Sequence, residues 1–239
     1  MKWIYFLALF LALSLTRSGF AGEIWPLPPS FTAHYSVYLK GLPVGKGVRR
    51  FYSQGENYVF ETQTETSGIA ALFRGDVIME RSLFSQTASG LIQPLRYEYK
   101  HARKKNPRHD LIEFDWTNGV ANNTIVGQEW SVPLSEGVLD NMLYQLVLMQ
   151  QLAAGERDLS FKVAYKGEVR TYTPRFLGEE AVNIGAQQVN TLKYQRISDD
   201  GKRQTTLWCA PQWHFLPIKV EHVEKGDAGV LILERVEGL

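Results

Sequence analysis

The sequence predicts a mainly β protein: an antiparallel open barrel, or a sandwich-like sheet, with one central buried α-helix at about residues 135–154. Three observations predict it. Apolar and polar residues alternate with period two over many short stretches, turn dipeptides rich in Gly, Asn and Asp separate those stretches, and one segment switches to helical spacing. The composition agrees with a globular chain. Of 239 residues, 44% are hydrophobic and 21% charged, which excludes disordered, collagenous and coiled-coil proteins. The 26 Lys and Arg nearly balance 25 Asp and Glu, so no nucleic-acid partner is expected. A single cysteine, Cys209, excludes both an internal disulfide and a multi-thiolate zinc cluster.

The first segment reads as an address. Lys2 precedes an apolar run from Trp3 to Leu15, and the small residues Gly19 and Ala21 precede Gly22. This is the pattern of a secretory signal peptide over residues 1–21, cleaved near Ala21/Gly22. The run is shorter than the roughly 20 residues a membrane-spanning helix needs. The expectation is a soluble periplasmic protein whose residues 22–239 form one β-rich domain. The absence of disulfides fits, because a chain of this size buries enough core without them.

Each element follows in order. Phe31, Ala33, Tyr35, Val37 and Leu39 alternate with polar neighbours, as a half-buried strand requires. Gly41 to Gly45 then breaks the run with turn chemistry. Tyr58, Phe60 and Thr62 form another alternating set, followed by Leu95, Tyr97 and Tyr99, then Ile112, Phe114 and Trp116; Asn118-Gly119 is a hairpin dipeptide. From Ser135 to Ala154 the apolar residues Val138, Leu139, Met142, Leu143, Leu146, Val147, Met149, Leu152 and Ala153 recur at helical spacing. Ser135 is the expected cap and Gly155 the terminator. The broad stripe implies a buried helix crossing an open sheet face. A second antiparallel set follows: Phe161 to Tyr165, a turn at Lys166-Gly167, Val169 to Thr173, Val189 to Ile197, Thr205 to Cys209, Ile218 to Val223 and Val230 to Val236.

Two stretches carry a resemblance. One is Tyr35-Ser36-Val37-Tyr38-Leu39-Lys40-Gly41-Leu42-Pro43-Val44-Gly45, and the other is Leu207-Trp208-Cys209-Ala210-Pro211 with Leu216-Pro217-Ile218-Lys219-Val220-Glu221. With Phe114-Asp115-Trp116 and the mid-chain helix, the chain resembles the exported bacterial family called domain of unknown function 3108, roughly from Phe31 to Val236. Cys209 stands where an aliphatic residue is more usual. The resemblance implies no activity and no catalytic residues. At the level of fold alone, it also implies likeness to the half-barrels that carry lipoproteins across the periplasm.

Catalytic and metal chemistry find little footing. The five histidines include no helical His-x-x-x-His pair, although His101 and His109 flank a hairpin tip and are candidates to face each other across it. Cys209 lies in an apolar run that disfavours a thiolate. Glu179-Glu180 and Asp199-Asp200 fall in expected turns, and Gly45-Lys46-Gly47, lacking a following helix, reads as a turn rather than a phosphate loop. No catalytic residue, metal or cofactor is expected.

Two binding features remain. Arg103, Lys104, Lys105 and Arg108 crowd the tip between two strands, where they either solvate a turn or touch an anionic surface of the cell envelope. Tyr58, Phe60, Tyr97, Tyr99, Phe114, Trp116, Tyr165, Tyr194 and Trp208 fall on strands. In a closed sandwich these rings are core; in an open barrel they line a pocket, where tyrosines offer both an apolar ring and a hydroxyl. The function expected first is a non-catalytic protein that binds or carries an apolar or amphipathic envelope molecule such as a lipid. Transient contact with the membrane surface or envelope proteins would accompany it. The alternatives are an assembly or scaffold module recognising protein or polysaccharide, and an enzyme acting on envelope glycan or lipid.

Overall fold

The computed structural model describes residues 26–68, 76–102, 107–125 and 127–239. The N-terminal segment 1–21 and the tip residues Arg103, Lys104 and Lys105 lie outside them. The first half of the chain supplies β1 (Phe31–Leu39), β2 (Leu42–Gln54), β3 (Asn57–Thr66), β4 (Val77–Gln86), β5 (Ile92–Ala102), β6 (Arg108–Asp115), β7 (Val120–Asn123), β8 (Trp130–Pro133) and β9 (Val138–Leu139). Helix α1 (Leu143–Ala153) follows. Then come β10 (Phe161–Tyr165), β11 (Glu168–Tyr172), β12 (Arg175–Ile184), β13 (Gln187–Ile197), β14 (Arg203–Ala210), β15 (Leu216–Glu224) and β16 (Asp227–Glu237).

Thirteen strands form one antiparallel sheet in the order β12-β13-β14-β15-β16-β1-β2-β3-β4-β5-β6-β7-β8. Strand β16 pairs with β1 from Thr32↔Glu237 to Leu39↔Gly229, which joins the two halves of the chain in mid-sheet. The sheet curls but stays open, with β12 and β8 as its edges. A smaller sheet, β11-β10-β9, adds a parallel pair between β9 and β10. Its strand β9 lies against β5.

Period-two alternation holds where one face is buried. On β1, Phe31, Ala33 and Tyr35 turn inward, and the Tyr35 hydroxyl donates to the Pro217 carbonyl at 3.0 Å. Next to them the rings of Phe31, Phe51, Tyr58, Phe60 and Phe84 pack in a continuous stack, with centroids 5.5–6.4 Å apart.

Three sequence expectations need correction. The break after β1 is only Lys40-Gly41, both at positive φ (51° and 79°), the geometry of a tight hairpin turn. Gly45-Lys46-Gly47 is therefore not a turn but the interior of β2, paired with Thr66, Glu65 and Thr64. Gly45 is needed there for close approach, since a Cβ would sit 2.2 Å from the Glu65 carbonyl oxygen. Gly45→Ala should destabilise the fold by about 1–3 kcal/mol through overpacking. Gly47→Ala, whose methyl meets neighbours at 3.6–3.7 Å, should be far milder. Urea unfolding of both variants checks the contrast, and equal losses would refute it.

The second correction concerns Glu179-Glu180, which lie in β12 rather than in a turn, opposite Leu192 and Thr191. Strand β12 is an edge and exposed on much of both faces, so the alternation that betrays a strand is missing. The third concerns the helix, which starts at Leu143 rather than near Ser135. Gly137 takes φ 78°, and residues 138–139 leave the helical path to pair with β10. The Asp140 carboxylate then accepts from the amides of Met142 and Leu143, both at 2.8 Å, and so opens the first turn. Gly155 does end the helix, at φ 92°: its N–H donates to Leu152 O at 3.1 Å and that of Glu156 to Gln151 O at 2.9 Å. These two bonds make a Schellman close. Leu143, Tyr144, Leu146, Leu148, Met149 and Leu152 are all buried, as an all-round apolar helix must be.

Candidate functional site

Two inward faces of the large sheet look at each other across the small one. On the first, the register Tyr97↔Ile112 and Tyr99↔Asp110 puts Tyr97, Tyr99, Arg108 and Asp110 on one face of β5 and β6. On the second, Arg196↔Thr205, Thr205↔His222 and Arg203↔Glu224 put Arg196, Arg203, His222 and Glu224 together on β13, β14 and β15. Between them stands the β10–β11 hairpin, closed at Lys166-Gly167 with φ 49° and 80°. Its register, Tyr165↔Glu168 and Phe161↔Tyr172, places Tyr165, Arg170 and Tyr172 on a common face. These groups, with Trp130, Asn123, Asn141 and Ser198, line a cleft of about 310 Å³.

The cleft is cationic. Arg108, Lys166, Arg170, Arg196 and Arg203 line it against two acids, Asp110 and Glu224. Both acids are engaged: Arg108 holds Asp110 at 2.6 Å and Arg203 holds Glu224 at 3.1 Å. Arg170 pairs with Glu168. Among the described residues no carboxylate reaches Lys166 or Arg196. The cations lie over tyrosine rings instead: Arg108 over Tyr99 at 5.1 Å, Arg170 and Lys166 over Tyr165 at 5.0 and 5.3 Å, and Arg196 over Tyr172 at 3.9 Å. Burial opposes ionisation of Tyr165, yet Lys166, Arg203 and Arg108 outweigh it and hold its phenol below the ordinary tyrosine range. Burial, helped by Arg196 and Arg203, holds His222 below the ordinary histidine range despite Glu224. Its Nδ1 lies 3.0 Å from Thr205 Oγ1.

Behind the cleft lies a buried polar layer. The Tyr97 hydroxyl donates to Glu80 at 2.5 Å, and that of Tyr172 to Asn141 at 3.1 Å. Burial raises the Glu80 carboxyl above its usual range, against the pull of Tyr97 and Arg49. Arg49, itself buried, donates to Thr62 at 3.1 Å and lies over Phe60 at 5.4 Å.

The rings expected at a binding site therefore divide. Tyr97, Tyr99 and Tyr165 meet in the cleft. Tyr58 and Phe60 belong to the aromatic stack, and Phe114 is buried in the core. Trp116 is not on a strand as expected but in the turn that follows β6, because the strand ends at Asp115, and its indole donates to Pro94 O at 2.6 Å. Tyr194 is buried beside Phe176, and Trp208 is held between Lys193 and Lys219 at 4.8 and 4.1 Å. Of the basic tip, Arg108 lines the cleft. His101 pairs with Arg108 and His109 with Lys100, so the two histidines point to opposite faces instead of meeting across the hairpin. Cys209 is fully buried and its thiol is pushed far up by burial. Sequence reasoning missed Arg170, Tyr172, Arg196 and Arg203. The Lys166-Gly167 turn already implied the register that joins Arg170 and Tyr172 to Tyr165, whereas nothing local brings Arg196 or Arg203 to them.

A second, more apolar groove of about 660 Å³ lies at the other end of β10, lined by Leu91, Ile92, Leu139, Val147 and Phe161 with Gln150, Gln151, Glu136 and Lys162.

An open antiparallel sheet curled about a helix is a β-barrel-like architecture. A solved structure described as a β-barrel-like protein of domain of unknown function DUF1849, from Brucella abortus, shares it with a TM-score of 0.57 and 13% identity, over 89% of this chain and 99% of that one. That likeness concerns the fold. The family described as Protein of unknown function (DUF3108) matches residues 33–232, and the chain belongs to it. No curated protein matches the sequence.

Proposed function

We propose that this chain is an exported, non-catalytic protein that binds an amphipathic molecule of the cell envelope in the periplasm. One observation carries the reading: a cationic, tyrosine-lined cleft and an apolar groove lie at opposite ends of the same short strand, β10. Tyr165 belongs to the cleft and Phe161 to the groove, and four residue steps separate them by roughly 13 Å. A charged head in the first and a hydrocarbon tail along the second suit the two linings. Each buried methylene would contribute about 0.8 kcal/mol, so the tail sets affinity while the cations set orientation. Among the described residues no helix is long and apolar enough to cross a membrane.

Native mass spectrometry of protein purified from its own periplasm tests the reading. A bound amphiphile that survives desalting is the expected result. A ligand-free mass, with no uptake of added lipid, would overturn it.

A further inference from the structure

Resting on that reading, we infer that the cleft selects a phosphorylated polyol, anchored by Arg196, whether as a free sugar phosphate or as a lipid headgroup. The Arg196 guanidinium carbon stands 3.9 Å from the centroid of the Tyr172 ring, a contact that restrains its position. Its Nε is buried and has no hydrogen-bond partner. An arginine so placed is pre-organised for a phosphate, whose oxygens match the guanidinium fork. Lys166, across the hairpin turn, is the second cation without a carboxylate in reach among the described residues.

The remaining lining argues for hydroxyls rather than a bare ion. Asn123, Asn141 and Ser198 already bond Gln128 and Ile125, Tyr172, and Asp200 and Arg203 respectively, and each keeps a further donor or acceptor site that a hydroxyl can use, while the Trp130 ring supplies a flat face. Such groups donate to phosphate oxygens as well, but the several hydroxyls of a polyol, which donate as well as accept, also engage their acceptor oxygens. A volume of about 310 Å³ lies at the small end of ligand pockets, room for one sugar or glycerol unit rather than a polymer.

Calorimetric titration of the whole chain with glucose 6-phosphate, glucose and inorganic phosphate, beside sedimentation with vesicles of phosphatidylglycerol or phosphatidylcholine, tests this. The expected result is that glucose 6-phosphate or phosphatidylglycerol binds, at least tenfold more tightly than glucose or phosphatidylcholine. Inorganic phosphate should trail the sugar phosphate. Binding of the soluble probe alone identifies a free sugar phosphate, binding of the vesicle alone a lipid headgroup, and either supports the inference. Arg196→Gln should lower that binding at least tenfold. Lys166→Gln, in an exposed turn and thus no threat to folding, should lower it several-fold, and Lys40→Gln, at the exposed pair with Asp227, should leave it unchanged. Failure of both glucose 6-phosphate and phosphatidylglycerol to bind more tightly than their comparators overturns the inference, as does undiminished binding by both Arg196→Gln and Lys166→Gln. If the protein still retains a native amphiphile in either case, the proposed function stands and only this headgroup assignment falls.

Discussion

Asp140→Asn should make the protein more stable above neutral pH and flatten the pH dependence of its unfolding. Asp140 is fully buried and its pKa is pushed up to about 7, by burial first and by Glu80 in addition, against the amides of Leu143 and Met142. The unfolded value is 3.8, so between about pH 4 and pH 7 the folded state holds a proton that the unfolded chain has released. Stability therefore falls as pH rises through that window and levels off above it. At about 1.4 kcal/mol per pH unit the loss amounts to about 4 kcal/mol. The raised Glu80 carboxyl acts in the same direction. Asparagine keeps the Oδ1 acceptor that opens helix α1 and removes the buried charge, and the buried Ser82 hydroxyl beside it can accept from the new amide. Urea unfolding at pH 5 and pH 8 measures both effects. The wild-type chain should be the more stable at pH 5, with most of that difference gone in the variant. Equal wild-type stabilities at the two pH values would refute the explanation.

The other large effect belongs to the aromatic stack. Phe84 is fully buried, with Tyr58 at 5.5 Å and Phe51 at 6.3 Å. Phe84→Ala should cost about 3–5 kcal/mol, from lost transfer energy and from the cavity left among stiff rings. Against a typical total of about 5–15 kcal/mol, that is a large fraction of the stability. Phe84→Leu, which keeps most of the volume, should lose much less. Thermal unfolding decides, and a loss below about 1 kcal/mol for the alanine variant would mean that this end of the sheet is loosely filled. A filled stack also bears on function, because Tyr58 and Phe60 are then engaged with neighbouring rings and the open space lies at the two ends of β10.

Legibility in the sequence followed burial. Strands with one wet and one dry face announced themselves: β1 and β10 span the residues that alternation marked out, and the Gly155 stop reflects a backbone conformation that glycine adopts freely. Strand β12 went unread because an edge exposed on both faces carries no period-two signal. Residues Val138 and Leu139 have helical spacing, yet Gly137 and the Asp140 turn, together with β10 alongside, draw them into a sheet. For the candidate site, the tyrosines on β5 and β10 were visible as part of a larger set of rings, without any mark separating cleft from core.

By itself, the sequence determined the mainly β class, the hairpin turns, the buried helix and the membership of a family, because each of these rests on local periodicity, turn chemistry or the order of short motifs. Only the tertiary structure decided which rings are core, and that Arg196 and Arg203 on the late strands face Tyr99 and Arg108 on the early ones. The physical reason is distance along the chain. Charges roughly a hundred residues apart share a cleft only because β1 pairs with β16 and the sheet curls, and no local preference of either segment encodes that meeting.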